Sequence, residues 1–169
     1  MKIKTNTKVN RGFSYIELIV VISILGIMVG MAALSFSIVT RNNTTKTAAK
    51  LESVFNKART ITMAKGTKKG SIELSFEDGK WYYYIGDPGI PESKKTKEKF
   101  AQTPINVQLV TEHGNVSELS EIGHYCFKFN RSTGGLKNDE FTAVRISNGS
   151  TVADVTISEL TGNVEVVLR

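Results

Sequence analysis

From Leu18 to Thr40 the chain runs for 23 positions without a charged residue. As a helix rising about 1.5 Å per residue, this run spans roughly 34 Å, enough to cross a bilayer core of about 30 Å. Arg41-Asn42-Asn43-Thr44-Thr45 then reads as a polar break at the membrane surface. Beyond it the pattern becomes amphipathic. Leu51, Val54, Phe55, Ala58 and Ile61 or Thr62 recur at helical spacing on one face, while Lys46, Lys50, Lys57 and Arg59 take other positions. This predicts a helix that lays an apolar stripe against a globular core and stops near Lys65-Gly66, since glycine is a common helix terminator.

After Gly66 the period shortens to two. Ser71 to Phe76 alternates, Asp78-Gly79 is a hairpin turn signal, and Trp81 to Ile85 is the predicted return strand. Gly86 to about Pro104 reads as a long polar loop, with Lys94, Lys95, Lys97 and Lys99 against Glu92 and Glu98, and is a candidate partner-contact loop. Further strands are predicted at Ile105 to Val110, His124 to Asn130, Ala143 to Ser147, Val152 to Ile157 and Val164 to Leu168. Within His124 to Asn130, Tyr125, Phe127 and Phe129 share one face, which is expected to meet the core, with Cys126 and Lys128 on the other.

Charge changes the picture at the N-terminus. The chain of 169 residues carries a net +6, but Lys2, Lys4, Lys8 and Arg11 supply four of those charges, and the remainder carries only +2. That is a poor signature for nucleic acid. Basic residues ahead of an apolar span keep the short leader on the cytoplasmic side and send the rest outward. A secretory signal peptide also begins this way, but its apolar region is about 7 to 15 residues and ends at a small-residue cleavage site; this run is longer and passes directly into helical sequence. Roughly 130 residues remain for one outer domain, a workable size for a core. Its single cysteine, Cys126, excludes an intramolecular disulfide, so burial must hold that domain together.

Glu17 is an acid at the start of an otherwise apolar span. A carboxylate at the centre of such a helix costs about 2.5 to 3.5 kcal/mol, less at its end, and residues of this kind usually have a partner and a function. No lysine or arginine within the span can serve. A cut between Gly12 and Phe13 would create a positive α-amine four residues before Glu17, and positions i and i+4 share a helix face.

The stretch Arg11-Gly12-Phe13-Ser14-Tyr15-Ile16-Glu17-Leu18-Ile19-Val20-Val21-Ile22, continuing through Met28, closely resembles the class III signal of type IV pilins and type II secretion pseudopilins. The resemblance implies a prepilin peptidase that cuts after Gly12 and methylates the new N-terminal Phe13. It also implies an assembly salt bridge in which Glu17 neutralises the terminal amine of a neighbouring subunit. A carboxylate that needs a cation in a low-dielectric core rewards one axial register over others. Many pilins kink this helix with a proline where this chain has Leu34, which implies a straighter first half. Gly26 and Gly30 form a small-xxx-small spacing that lets helices approach closely.

The outer half resembles the GspH/FimT family of minor pseudopilins and minor pilins. The likeness runs through Leu51 to Leu74, Phe127-Lys128-Phe129-Asn130 with Gly134, Ala143 to Ser147, Val155-Thr156-Ile157 and Thr161-Gly162-Asn163-Val164. It implies a long helix against a small β-sandwich. Some members bind DNA through a Gly-Arg-x-Arg element; here that place reads Gly162-Asn163-Val164-Glu165, which removes the phosphate-binding charges.

The catalytic inventory is thin. His113 and His124 lack metal-ligand spacing and read as surface residues, and no nucleophile elbow, phosphate loop or zinc motif is present. Asn138-Asp139-Glu140 lacks the spacing of a calcium loop and reads as a turn.

The expectation is an α+β chain whose long N-terminal transmembrane and amphipathic helix packs on a C-terminal antiparallel, sandwich-like domain. Residues 1–12 form a leader, 13–40 the membrane and filament-core half of the helix, 41–66 its amphipathic half, and 67–169 the extracytoplasmic domain. The expected role is a non-enzymatic minor pilin or pseudopilin of a pilus or secretion pseudopilus, in the cytoplasmic membrane and then in the filament. It uses no cofactor or metal, and its partners are the prepilin peptidase, other pilin subunits and an inner-membrane assembly platform. The alternative is a filament-displayed binding module for DNA uptake or adhesion.

Overall fold

A computed structural model describes residues 14–137, 140–149 and 151–169, with only the backbone at 32–38 and 40. Gly12, Phe13 and the turn predicted at Asn138-Asp139 lie outside the described residues. The chain divides into two compact units, Met1–Ile38 and Val39–Arg169.

The first unit contains the start of helix α1 (Tyr15–Lys65). Its large apolar side chains are exposed from Tyr15 to Met31. The hydroxyl of Ser23 donates to the Ile19 carbonyl at 2.7 Å, so this polar group is satisfied within the helix. Among the described residues no helix is long and apolar enough to cross a membrane. The span expected at 18–40 is therefore not recovered from them: the described side chains of that run stop at Met31 and resume only at Val39.

In the second unit the polar break expected at 41–45 is absent, because α1 continues through it. Thr45 donates its hydroxyl to the Arg41 carbonyl at 3.0 Å, and Thr44 and Thr47 are buried, so these short polar side chains are absorbed by the helix. The predicted stripe is buried: Leu51, Val54, Phe55, Ala58 and Thr62 all face inward, with Ile61 only half-buried, and Ala48 extends the stripe by a turn. The helix ends at Lys65, and Gly66, at φ 96°, donates its amide to the Thr62 carbonyl at 2.8 Å. A single turn α2 (Thr67–Gly70) follows. A Cβ on Gly70 would lie 2.4 Å from the Thr62 amide nitrogen and 2.5 Å from the Ala58 carbonyl oxygen. Only glycine allows the chain to turn this close to α1.

The remaining chain forms two antiparallel sheets. The first joins β1 (Ile72–Glu77), β2 (Lys80–Ile85), β3 (Glu98–Gln102) and β6 (His124–Phe127) in the order β3-β2-β1-β6. The second joins β4 (Asn106–Thr111), β5 (Val116–Glu118), β7 (Phe141–Asn148), β8 (Thr151–Ile157) and β9 (Val164–Leu168) in the order β5-β4-β7-β8-β9. A short helix α3 (Leu119–Ile122) connects β5 to β6. The β1–β2 hairpin turns on Asp78 and Gly79, both at positive φ (49° and 72°), as the Asp-Gly pair predicts.

One apolar cluster includes α1 and both sheets. The Phe55 ring meets Phe127 edge-on at 5.2 Å and Phe129 at 6.5 Å, a favoured aromatic geometry. Tyr125 on β6 meets Phe141 on β7 at 5.0 Å, linking the sheets. The predicted aromatic face is thus turned to the core, although the strand itself ends at Phe127 and Phe129 makes an isolated bridge to Leu136. The Trp81 indole donates to the Ile105 carbonyl at 2.8 Å inside the core. Two loops also close on each other: a Cβ on Gly162 would lie 1.8 Å from the Gly134 carbonyl oxygen.

The long loop predicted over Gly86 to Pro104 requires correction. It contains a 3-10 turn at Glu92–Lys94 and the strand β3. Register slips between Trp81 and Tyr82, which pair with Ala101 and Lys99, so both Phe100 and Ala101 are buried and the alternation that marks a strand is lost.

Candidate functional site

Glu17 lies in the first turn of α1, where an acid complements the positive end of the helix dipole. Ser14 immediately precedes the helix, and its amide donates to Glu17 Oε2 at 3.4 Å. Ser-x-x-Glu is the sequence pattern of a capping box, in which the acid reaches back to the preceding backbone amide. This local role is legible in Ser14 and Glu17, yet the apolar run draws attention away from it. The contact is long against the usual range of about 2.7 to 3.2 Å, and the carboxylate is exposed, so it retains acceptor capacity for a cation. Around it Tyr15, Ile16, Leu18 and Ile19 are exposed apolar side chains. A helix apolar on all sides belongs in a membrane or in the core of a larger body. Gly26 and Gly30 have open space where a Cβ would stand.

The outer unit presents chemistry of another kind. The lysines of the 86–104 segment are not a uniform solvated set. Lys95 is nearly buried and bonds Glu73 Oε2 at 2.8 Å and Glu92 Oε1 at 2.6 Å, while Lys97 pairs with Glu77 and with Glu92 Oε2. Hydrogen bonds from Lys95 and Lys97 hold the Glu92 carboxyl down at about 2. Burial works against charge on Lys95, but hydrogen bonds from its ammonium to Glu73 and Glu92 prevail and raise it to about 12. Burial, reinforced by a 2.5 Å bond to Glu98, raises the Tyr83 phenol to about 12. A second pair spans β7 and β8: Arg145 binds buried Asp154 through two bonds of 2.7 and 3.0 Å. These satisfied pairs fasten strands and loops. Sequence alternation puts Glu73, Ser75 and Glu77 on one face of β1, which was the available signal that this face needs cations.

His113 and His124 are exposed, and among the described residues no group of three or more His, Cys, Asp or Glu side chains is placed to hold a metal. At the end of the GspH/FimT-like stretch, Asn163 donates to Glu165 at 3.2 Å, so that segment presents an acid where DNA binding needs a base.

Residues 7–33 match the family model described as the prokaryotic N-terminal methylation motif. The match supports a type IV pilin-like protein. It includes the Gly12-Phe13 pair and the first turn of α1 with Glu17. It points to a structural subunit of a pilus or pseudopilus rather than an enzyme, to membrane anchoring, to processing by a prepilin peptidase and to assembly with other pilins. No curated protein and no solved structure matches the chain.

Proposed function

We propose that this chain is a minor pilin or pseudopilin, cut between Gly12 and Phe13, methylated on Phe13 and built into a filament through α1. The observation that carries the reading is the methylation motif over residues 7–33, coinciding with a helix start that presents Glu17 among exposed apolar side chains. The apolar run at 18–40 holds the precursor in the cytoplasmic membrane, and an assembly platform there lifts it into the filament. In the filament, neighbouring helices replace lipid around Tyr15 to Met31. Glu17 then pairs with the terminal amine of an adjacent subunit, which sets axial register more than overall stability. The reading of the outer domain as GspH/FimT-like draws support from two antiparallel sheets that share one apolar cluster with α1. Display of this domain for DNA uptake is the less favoured role, given Asn163 and Glu165.

Mass spectrometry of the mature chain tests the central step. The expected N-terminus is a methylated Phe13; a chain beginning anywhere else removes the reading.

A further inference from the structure

Among the basic residues of the outer unit, Lys95, Lys97, Arg145 and Arg169 are held by carboxylates, whereas Arg41, Lys46 and Lys99 are among those that form no ion pair with any described residue. These three are exposed, and the fold gathers them at one end. There a groove of about 290 Å³ is lined by Asn43, Lys46, Thr47, Lys99, Gln102 and Asn148, among others, without a carboxylate. Beside it in the fold, a hollow of about 340 Å³ is lined by Arg41, Thr151, Leu168 and Arg169. The two share the β7–β8 turn, where Asn148 pairs with Thr151. Lys99 Nζ contacts only the neutral amide oxygen of Gln102, at 2.5 Å, and Lys50 Nζ donates to the Lys99 carbonyl at 2.7 Å, adding a further positive charge. Asp78 lies in the neighbouring β1–β2 turn, which Thr103 joins by donating its amide to the Gly79 carbonyl. Arg169 is paired with Asp154 at 3.2 Å, an acid that Arg145 also binds, so the free positive charge at this end comes from Arg41, Lys46, Lys50 and Lys99.

We infer that this end of the outer domain binds the headgroups of anionic phospholipids on the membrane surface. The inference rests on the membrane-anchored reading above, because Arg41 follows the apolar run directly and so comes out of the bilayer first. Exposed Leu168, beside Arg41 and Arg169, supplies an apolar contact of the kind interfacial surfaces combine with basic residues. Neutral donors from Asn43, Thr47 and Asn148 complete a site suited to phosphate oxygens. Each basic residue at an anionic surface strengthens attraction about fivefold, within a Debye length. Before assembly, such contact would hold the domain against the bilayer; extraction into a filament would release it.

The test uses the full chain in nanodiscs of zwitterionic lipid alone or with phosphatidylglycerol, reading amide hydrogen exchange at the turns Gln102–Ile105 and Asn148–Thr151. Exchange should slow by up to about a hundredfold in the anionic discs, as three contacts of about fivefold each multiply, and the protection should disappear at high salt. The triple variant Arg41→Gln, Lys46→Gln, Lys99→Gln should lose it. A control removing the same charge, Lys65→Gln, Lys68→Gln, Lys69→Gln, begins 24 residues farther along the chain, about 36 Å along the helix, and should keep it. Equal exchange in both lipids, or equal loss in the control, overturns the inference while leaving the filament reading intact. Protection in zwitterionic discs on adding inorganic phosphate would assign the site to a free anion instead. A chain that enters neither disc removes the membrane-anchored reading and this inference together.

Discussion

Two stretches of the same helix treat their apolar side chains in opposite ways. From Tyr15 to Met31 they are exposed: Leu25 is 53% accessible and Met28 63%. From Ala48 to Ala58 they are buried, with Leu51, Phe55 and Ala58 at 0%. The difference lies in distribution. The second stretch confines its apolar residues to a stripe that one chain can cover with its own sheets, whereas the first carries them on every side, and only lipid or other helices can surround it. The second stretch therefore stabilises the fold, and the first has the pattern suited to anchoring and assembly.

The largest test of that contrast is Phe55→Ala, which empties the space between α1 and the Phe127 and Phe129 rings. It should destabilise the outer domain by about 4 kcal/mol, in the range for a buried aromatic. Urea denaturation followed through the fluorescence of buried Trp81 would measure it. Leu25→Ala, an apolar truncation in the first stretch, should shift the same transition by less than about 0.5 kcal/mol, as an exposed substitution does. Comparable losses for the two would end the contrast.

Next in size is Glu73→Ala. Lys95 would keep only the exposed Glu92 as an ion-pair partner, and leaving a buried charge poorly paired should cost about 3 kcal/mol. The double variant Glu73→Leu, Lys95→Met should recover most of that loss in the same assay, because it removes the charge along with its partner. This distinguishes a buried pair from the solvated loop that the lysine-rich sequence suggests.

Smaller effects should appear on titration. The Glu92 carboxyl is depressed from 4.5 to about 2, so its contribution is present above pH 4.5 and is lost as pH falls towards 2. Lys95 is raised from 10.5 to about 12; its contribution is complete below pH 10.5 and is lost as pH rises through 12. Denaturation midpoints across these windows should show both declines, and Glu92→Gln should flatten the acid one. The smallest effect on folding belongs to Glu17→Ala, which removes only the long capping contact with Ser14. Its outer domain should unfold like the unaltered chain and its leader should be processed, while its incorporation into filaments falls sharply. Normal incorporation would contradict the registry role.

Much of this fold is legible in the residue pattern. Ile72, Leu74 and Phe76 alternate, so β1 was readable, and Asp78-Gly79 gave its turn. β3 was hidden because the register slip buries neighbouring Phe100 and Ala101 and breaks the period of two. β5 was hidden because three residues carry too short a pattern. At the candidate site, Glu17 stood out by the cost of an acid in an apolar run. The grouping of Arg41, Lys46 and Lys99 could not be seen, since Lys99 is more than fifty residues from the other two.

By itself the sequence pointed to a type IV pilin-like protein: a basic N-terminal stretch, a Gly-Phe pair, the acid Glu17 and an uncharged run are local features whose meaning depends on spacing alone. Tertiary structure decided which of the similar-looking lysines are buried and paired and which remain open. That outcome depends on strand register and on what packs over each ammonium, and both arise from contacts between residues far apart in the chain.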